Sequence, residues 1–252
     1  MDGFLVDAPP LPPPVWVEQF WGDLTFVHWP VDPASVAHWF PPGTEPDVFT
    51  DGLTYVGLVP FVMHRSAVAG KVPLPYFGAF AETNVRLYSV DSVGRHGVLF
   101  RSLETERLAV VGATRAGLGV PYTWAKMRVT RAGDRITYVS TRRWPECGLR
   151  SLVDVAIGEP VEPTPLEVWL TARWGAHTRK GGRTWWVPNE HLTWPLRQAE
   201  LVELSDDLVP AGGVVPVGPP LRALFSPGVQ ARFGRPTALR HVDPDRRQGI
   251  LE

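Results

Sequence analysis

Proline and glycine interrupt this chain so often that little room is left for long helices. Twenty-seven prolines and 24 glycines among 252 residues separate short runs rich in Val, Leu, Trp, Phe, Tyr and Thr. Proline removes a backbone donor and glycine frees the turn angles, so these runs read as strands joined by turns. Residues 24–29 form the first expected strand. Asp32-Pro33 offers an N-cap followed by proline at the first helical position, for a short helix that stops at Pro41-Pro42-Gly43. Residues 53–64 are apolar on both alternating faces, as in a strand covered on both sides. In 82–90, Glu82, Asn84, Arg86 and Tyr88 share one face while Val85 and Leu87 share the other. Residues 98–103 read as a strand, and 104–115 as a helix with Leu108 and Val111 on one side. Ala132-Gly133-Asp134 joins 122–131 to 135–142 as a hairpin, and Lys180-Gly181-Gly182 joins 166–175 to 183–188. Further strands are expected at 196–204, 221–225 and 229–233. The sum is a mostly β chain with a few short helices, arranged as a large, mostly antiparallel sheet or barrel. Residues 1–15 read as a Pro-rich arm, 16–235 as a single domain and 236–252 as a flexible tail.

Charge narrows the partners. Lys and Arg total 25 against 26 Asp and Glu, a net charge of -1. That balance supplies no field for steering polyanions, so no nucleic-acid partner is expected. The start of the chain lacks the basic and apolar segments of a signal peptide. The uncharged runs at 53–63 and 208–221 are short and broken by proline, so no membrane span is expected. A cytoplasmic location is the simplest expectation, and the lone Cys147 forbids an intrachain disulfide.

Familiar catalytic motifs are missing. There is no G-x-S-x-G elbow, P-loop or dinucleotide fingerprint. His28, His38, His64, His96, His177, His191 and His241 make no H-x-H or H-x-x-x-H pair. No cofactor and no metal is expected, although a zinc site assembled from distant residues stays open.

Several segments in order carry a resemblance. They include Leu24-Thr25-Phe26-Val27-His28-Trp29-Pro30-Val31-Asp32-Pro33, Gly57-Leu58-Val59-Pro60-Phe61 and Phe77-Gly78-Ala79-Phe80-Ala81-Glu82-Thr83-Asn84-Val85-Arg86-Leu87-Tyr88. Gly119-Val120-Pro121-Tyr122-Thr123-Trp124-Ala125-Lys126-Met127, Glu190-His191-Leu192-Thr193-Trp194-Pro195-Leu196 and Phe225-Ser226-Pro227-Gly228-Val229 complete them. Together, over roughly 16–235, they resemble the uncharacterised bacterial YqjF-like family, which is similar to acetoacetate decarboxylase. The resemblance implies a closed, cone-like β barrel with an internal ligand cavity. It also implies that Arg115 and Pro121 match decarboxylase positions, that Glu82 matches a pocket glutamate, and that Tyr122 and Thr123 stand where the Schiff-base lysine and its neighbour belong. A phenol forms no imine, so acetoacetate decarboxylase activity is not expected.

Alternatives stay open at each candidate. Glu82, Asn84 and Arg86 are a pocket wall or a solvent-facing stripe. Arg115 binds a carboxylate with its planar fork or holds the Pro121 turn. Tyr122 contacts a ligand or fills space. His28 is an acid–base group or a hydrogen-bonded structural residue. Lys126 lies four residues beyond Tyr122, about 13 Å along a strand, and is a relocated amine or a rim cation. The leading expectation is a small-molecule-binding β-barrel protein whose pocket takes an organic acid, with self-association left open. The alternatives are an enzyme working through Tyr122, His28 and Glu82, and a structural protein with a filled interior.

Overall fold

The computed structural model describes residues 4–68, 72–73 and 79–239. Phe77, Gly78 and the tail from residue 240 lie outside the described residues. The strands are β1 (Val17–Val31), β2 (Thr44–Pro46), β3 (Thr54–Val68), β4 (Val72–Pro73), β5 (Phe80–Asp91), β6 (His96–Thr105) and β7 (Tyr122–Ala132). They continue with β8 (Arg135–Trp144), β9 (Arg150–Pro160), β10 (Gly175–Lys180), β11 (Arg183–His191), β12 (Arg197–Asp206), β13 (Ala223–Phe233) and β14 (Thr237–Ala238). The helices are short: α1 (Pro33–Val36), α2 (Leu108–Leu118), α3 (Pro165–Thr171) and α4 (Leu208–Ala211). The protein is thus mostly β. Among the described residues no helix is long and apolar enough to cross a membrane.

The strand order β14-β11-β10-β6-β7-β8-β9-β12-β13-β1-β3-β5-β2 is closed by extra pairings of β5 with β6 and of β11 with β13. The sheet is therefore ring-like and makes two circuits that share the wall β13-β1-β3-β5-β6. The described pairings are antiparallel except β6–β7 and β6–β10. Alternation along the shared wall splits its side chains between the circuits. Val27, Leu58, Val85, Leu87 and Phe225 pack with Ile136 and Val155 and fill one. Phe26, Val59 and Phe61 point to the other, with Leu224 and Trp194. This double burial is why β3 reads as apolar on both faces. Each such side chain contributes about 1.5–3 kcal/mol by leaving water.

Four sequence expectations are revised. Glu104 and Thr105 end β6 instead of opening a helix, because Glu104 is fully buried and takes a hydrogen bond at 2.5 Å from Arg142 on β8. Helix α2 starts at Leu108, which is 53% exposed, and buries Val110 and Val111 instead. Residues 166–171 are helical because Thr164 and Glu167 form a reciprocal capping box around Pro165 at the first turn. The hairpin through Gly181-Gly182 is therefore confined to β10 and β11. Strand β9 was not anticipated; its Asp154 is held by Thr137 and Arg135 of β8. The segments 221–225 and 229–233 merge into β13, because Gly228 sits opposite Gly22 at φ 130°. Any Cβ there would lie 2.2 Å from the Trp21 carbonyl oxygen. The expected cap holds: Asp32 accepts from the Ala34 amide at 3.0 Å. The N-terminal arm is attached along its described length. Trp174 donates its indole N–H to Leu5 O at 2.8 Å, and the Leu11 amide donates to Glu190 Oε2 at 2.8 Å.

Candidate ligand-binding site

The second circuit encloses a cavity of about 300 Å³ between the shared wall and the β10–β11 hairpin. Two polar rows face each other across it: Glu82, Asn84 and Arg86 along β5, and Asn189 and His191 along β11. Each row is the inward half of a period-two strand. The remaining lining is largely apolar, with Leu24, Phe61, Met63 and Leu103 among it. An apolar chamber with a few convergent polar groups is the ordinary form of a small-molecule site.

Glu82 is 3% exposed, and Tyr122, at the first position of β7, donates to its Oε2 at 3.1 Å. Burial pushes the Glu82 carboxyl up to about 8, against the opposing hydrogen bonds from Tyr122 and Asn84. Desolvation and the adjacent Glu82 hold the Tyr122 phenol well above its ordinary value. Both groups are therefore protonated at neutral pH. Arg115 fixes this geometry from behind. Its exposed guanidinium, 4.8 Å from the Trp144 ring centre, donates from Nη1 to the Tyr122 carbonyl at 2.7 Å.

Two arginines differ in their compensation. Arg173 is buried, paired with Asp47 and stacked 4.0 Å above the Trp169 ring. Burial alone would raise the Asp47 carboxyl, but the hydrogen bond from His96 and the charge of Arg173 hold it below its usual value. Arg86 instead donates to the Leu170 carbonyl at 3.2 Å and to the Tyr88 hydroxyl at 3.4 Å. Among the described residues no carboxylate forms an ion pair with Arg86, and its buried Nε has no partner.

His28 follows Phe26 on the same face of the shared wall, beyond Arg86, 2% exposed and with Nε2 2.7 Å from the Tyr88 hydroxyl. Burial and the charges of Arg86 and Arg173 keep it neutral. Gly57 pairs with both His28 and Arg86 across the sheet, and a Cβ on it would lie 3.1 Å from the imidazole. His28 is thus a neighbour of the pocket arginine and not part of the lining. Lys126 is exposed on the outer face of β7, and among the described residues no lysine lines the cavity.

Glu190 and His191 face opposite ways on β11: Glu190 pairs with Arg232, while His191 turns inward among Trp21, Trp174 and Trp194, with ring centres 5.9, 4.7 and 4.7 Å away. Its Nδ1 lies 2.7 Å from the Leu192 carbonyl, which only accepts, so Nδ1 carries the proton. Burial lowers the imidazole to about 4, and Arg86 adds to the effect. Asn189-x-His191 on an inward strand face was the available signal. Among the described residues no cluster of three metal-ligating side chains occurs.

Comparison with known proteins agrees with this architecture. The family described as "Uncharacterized conserved protein (COG2071)", DUF2071, matches residues 18–230. The uncharacterized protein YqjF of Bacillus subtilis (strain 168) is 31% identical over 216 residues, covering 84% of this chain and 88% of that one. Acetoacetate decarboxylase from Legionella pneumophila superposes with a TM-score of 0.63 at 14% identity, covering 92% of each chain. The enduracididine biosynthesis enzyme MppR complexed with pyruvate superposes with a TM-score of 0.62 at 14% identity, covering 91% of this chain and 92% of that one. At such identities the likeness is one of fold, and the fold is that of the acetoacetate decarboxylase-like proteins. With its family match spanning β1 to β13 and a relative aligned over most of both lengths, the chain belongs to the DUF2071 family.

Proposed function

We propose that this protein binds a small organic acid in the cavity, with the carboxylate on Arg86 and an apolar body against Phe61, Met63 and Leu103. In this reading the ring-like sheet is a closed, cone-like barrel. The observation that carries it is the guanidinium of Arg86, which among the described residues has no carboxylate partner and a buried Nε without an acceptor, in a largely apolar chamber. Glu82 is protonated, His191 is neutral and Asp47 is engaged by Arg173, so a bound anion supplies the missing charge. A planar fork with a free N–H suits a carboxylate. The fold likeness to a protein complexed with pyruvate supports the same class of ligand.

Calorimetry with 4-methylpentanoate and 4-methylpentanamide tests the reading. The acid binds, the amide does not, and Arg86→Met weakens the acid at least about tenfold. Equal binding of acid and amide, or full binding by Arg86→Met, overturns it.

The Glu82–Tyr122 contact favours a second reading, in which the site also moves protons. A carboxyl poised near neutrality beside a bound acid has the form of a general acid–base group. Solvent deuterium entering the carbon next to the carbonyl of 4-methyl-2-oxopentanoate, and failing to enter with Glu82→Gln, is the expected result. No exchange above the buffer rate removes this reading and leaves binding intact.

A further inference from the structure

The cavity holds a surplus of hydrogen-bond acceptors. Asn84 Oδ1 and Asn189 Oδ1 are buried without a partner among the described residues. His191 adds a third. Its Nδ1–H is committed to the Leu192 carbonyl, so Nε2 keeps a lone pair, and no donor is paired with it among the described residues. The Asn84 side chain lies beside Glu82 and helps hold its carboxyl down, and its Oδ1 is the end without a partner. These acceptors stand on the two strand rows that flank Arg86, whose own free atom is a donor.

A buried acceptor left without a donor loses its water and gains nothing. An oxo acid offers only acceptors: it satisfies Arg86 and leaves the other three unmet. An amino acid offers donors, but brings a cation beside Arg86 in a chamber whose one acidic lining group among the described residues, Glu82, is protonated. An uncharged hydroxyl meets both conditions.

We propose that the ligand is a hydroxy acid, whose carboxylate pairs with Arg86 and whose hydroxyl donates into the acceptor row of His191, Asn189 and Asn84. The inference rests on the organic-acid reading above and narrows it. The ring of His191 is fixed for this task by three tryptophans and by one carbonyl. His191 is thereby the residue that selects hydroxyl over ketone.

Matched carbon skeletons test this by calorimetry on the full chain. The first set is 2-hydroxy-4-methylpentanoate, 4-methyl-2-oxopentanoate and 4-methylpentanoate. The second is 3-hydroxybutanoate, 3-oxobutanoate and butanoate. In at least one set the hydroxy acid is expected to bind about tenfold or more tightly than both analogues, because a site built to pair a hydroxyl rejects the compound lacking it. His191→Phe keeps the aromatic packing and is expected to remove that preference, bringing the hydroxy acid's affinity to that of its analogues. Asn189→Leu gives an independent reading of the same preference should His191→Phe not fold. No preference in either set, or a preference for the oxo acid, overturns the inference while the organic-acid reading stands. If none of the six acids binds at millimolar concentration, both fall together.

Discussion

The Tyr122 hydroxyl donates to Glu82 Oε2 at 3.1 Å inside a chamber where both side chains keep their protons at neutral pH. Stability follows from that contact. Above its ordinary value of 4.5 the unfolded Glu82 carboxyl ionises, while the folded one stays protonated up to about 8. The unfolded chain then binds fewer protons, so stability falls as pH rises between those values and levels off above them. The full effect is at most about 5 kcal/mol. Glu82→Gln keeps an oxygen for Tyr122 and cannot ionise. It is expected to be about 1–3 kcal/mol more stable than the parent at pH 9 and about equal at pH 5. Urea midpoints at the two pH values decide it. An unchanged gap between parent and variant would mean that Glu82 is already ionised at neutral pH.

The acidic side has a different origin. Burial lowers His28, His177 and His191, the last to about 4. Below their ordinary value of 6.5 the unfolded histidines take up protons that the folded ones refuse, so stability is lost as pH falls from 6.5 towards 4. With Glu82 acting from the other side, maximal stability is expected near pH 6. His191→Phe is expected to flatten the acid side measurably, by about 1–2 kcal/mol at pH 4.5. Thermal melts across pH 4–9 for parent and variant give the comparison. A variant with the parent's acid slope would place the titration elsewhere.

Ser89, His177 and Asp91 form a chain of hydrogen bonds with the outline of a hydrolase triad. Ser89 Oγ is 2.8 Å from His177 Nδ1, and His177 Nε2 is 3.2 Å from Asp91 Oδ2. Ser89 is wholly buried and is not among the residues lining the cavity described above, so no carbonyl reaches it from there. Its task is to satisfy the imidazole. Ser89→Ala is expected to cost about 1–3 kcal/mol by leaving a buried nitrogen unpaired. A fluorophosphonate probe is expected to leave the parent chain unlabelled by mass. An adduct on Ser89 would give the triad a chemical role.

The buried pair of Arg142 and Glu104 ties β6 to β8, with Arg142 4% exposed and Glu104 fully buried. Removing one partner strands the other charge in the interior. Arg142→Met is expected to destabilise by about 3–5 kcal/mol, and Arg142→Met with Glu104→Leu to recover most of that loss. Denaturation midpoints of both variants are the measurement. A double variant no better than the single would show that the pair also sets the register of β6.

How much was legible in the sequence depended on the range of the forces involved. The β3 strand, the β7–β8 hairpin and the Asp32 cap are local, and the residues carry them. The inward row of Glu82, Asn84 and Arg86 was readable as a row, but not as a wall, because alternation does not say which side is enclosed. Glu104 looked helical because its partner Arg142 is remote in sequence. Strand β9 hid because its apolar residues are interrupted by Asp154, whose cost is offset only across the sheet by Arg135 and Thr137. The capping box of Thr164 and Glu167 is a local signal for helix α3, but Leu166, Val168, Leu170 and Ala172 alternate as in a strand. His191 and Asn189 needed the second circuit before their inward face had any meaning.

Gly57 brings His28 and Arg86 together on one face of the sheet. It lies between His28 and Arg86 in the sheet, and a Cβ there would stand 3.1 Å from the imidazole and 3.4 Å from the Arg86 stem. The imidazole is packed against Tyr88 and Phe26, with ring centres 5.9 and 6.2 Å away, so it has little room to yield. The Arg86 stem is flexible and ends in the cavity. Gly57→Ala is therefore expected to cost about 1–3 kcal/mol of stability and to weaken carboxylate binding by displacing the guanidinium. Calorimetry with 4-methylpentanoate and a urea titration of the same variant separate the two effects. Loss of affinity at retained stability would put the strain on Arg86. Loss of stability at retained affinity would put it on His28 and free the arginine from that constraint.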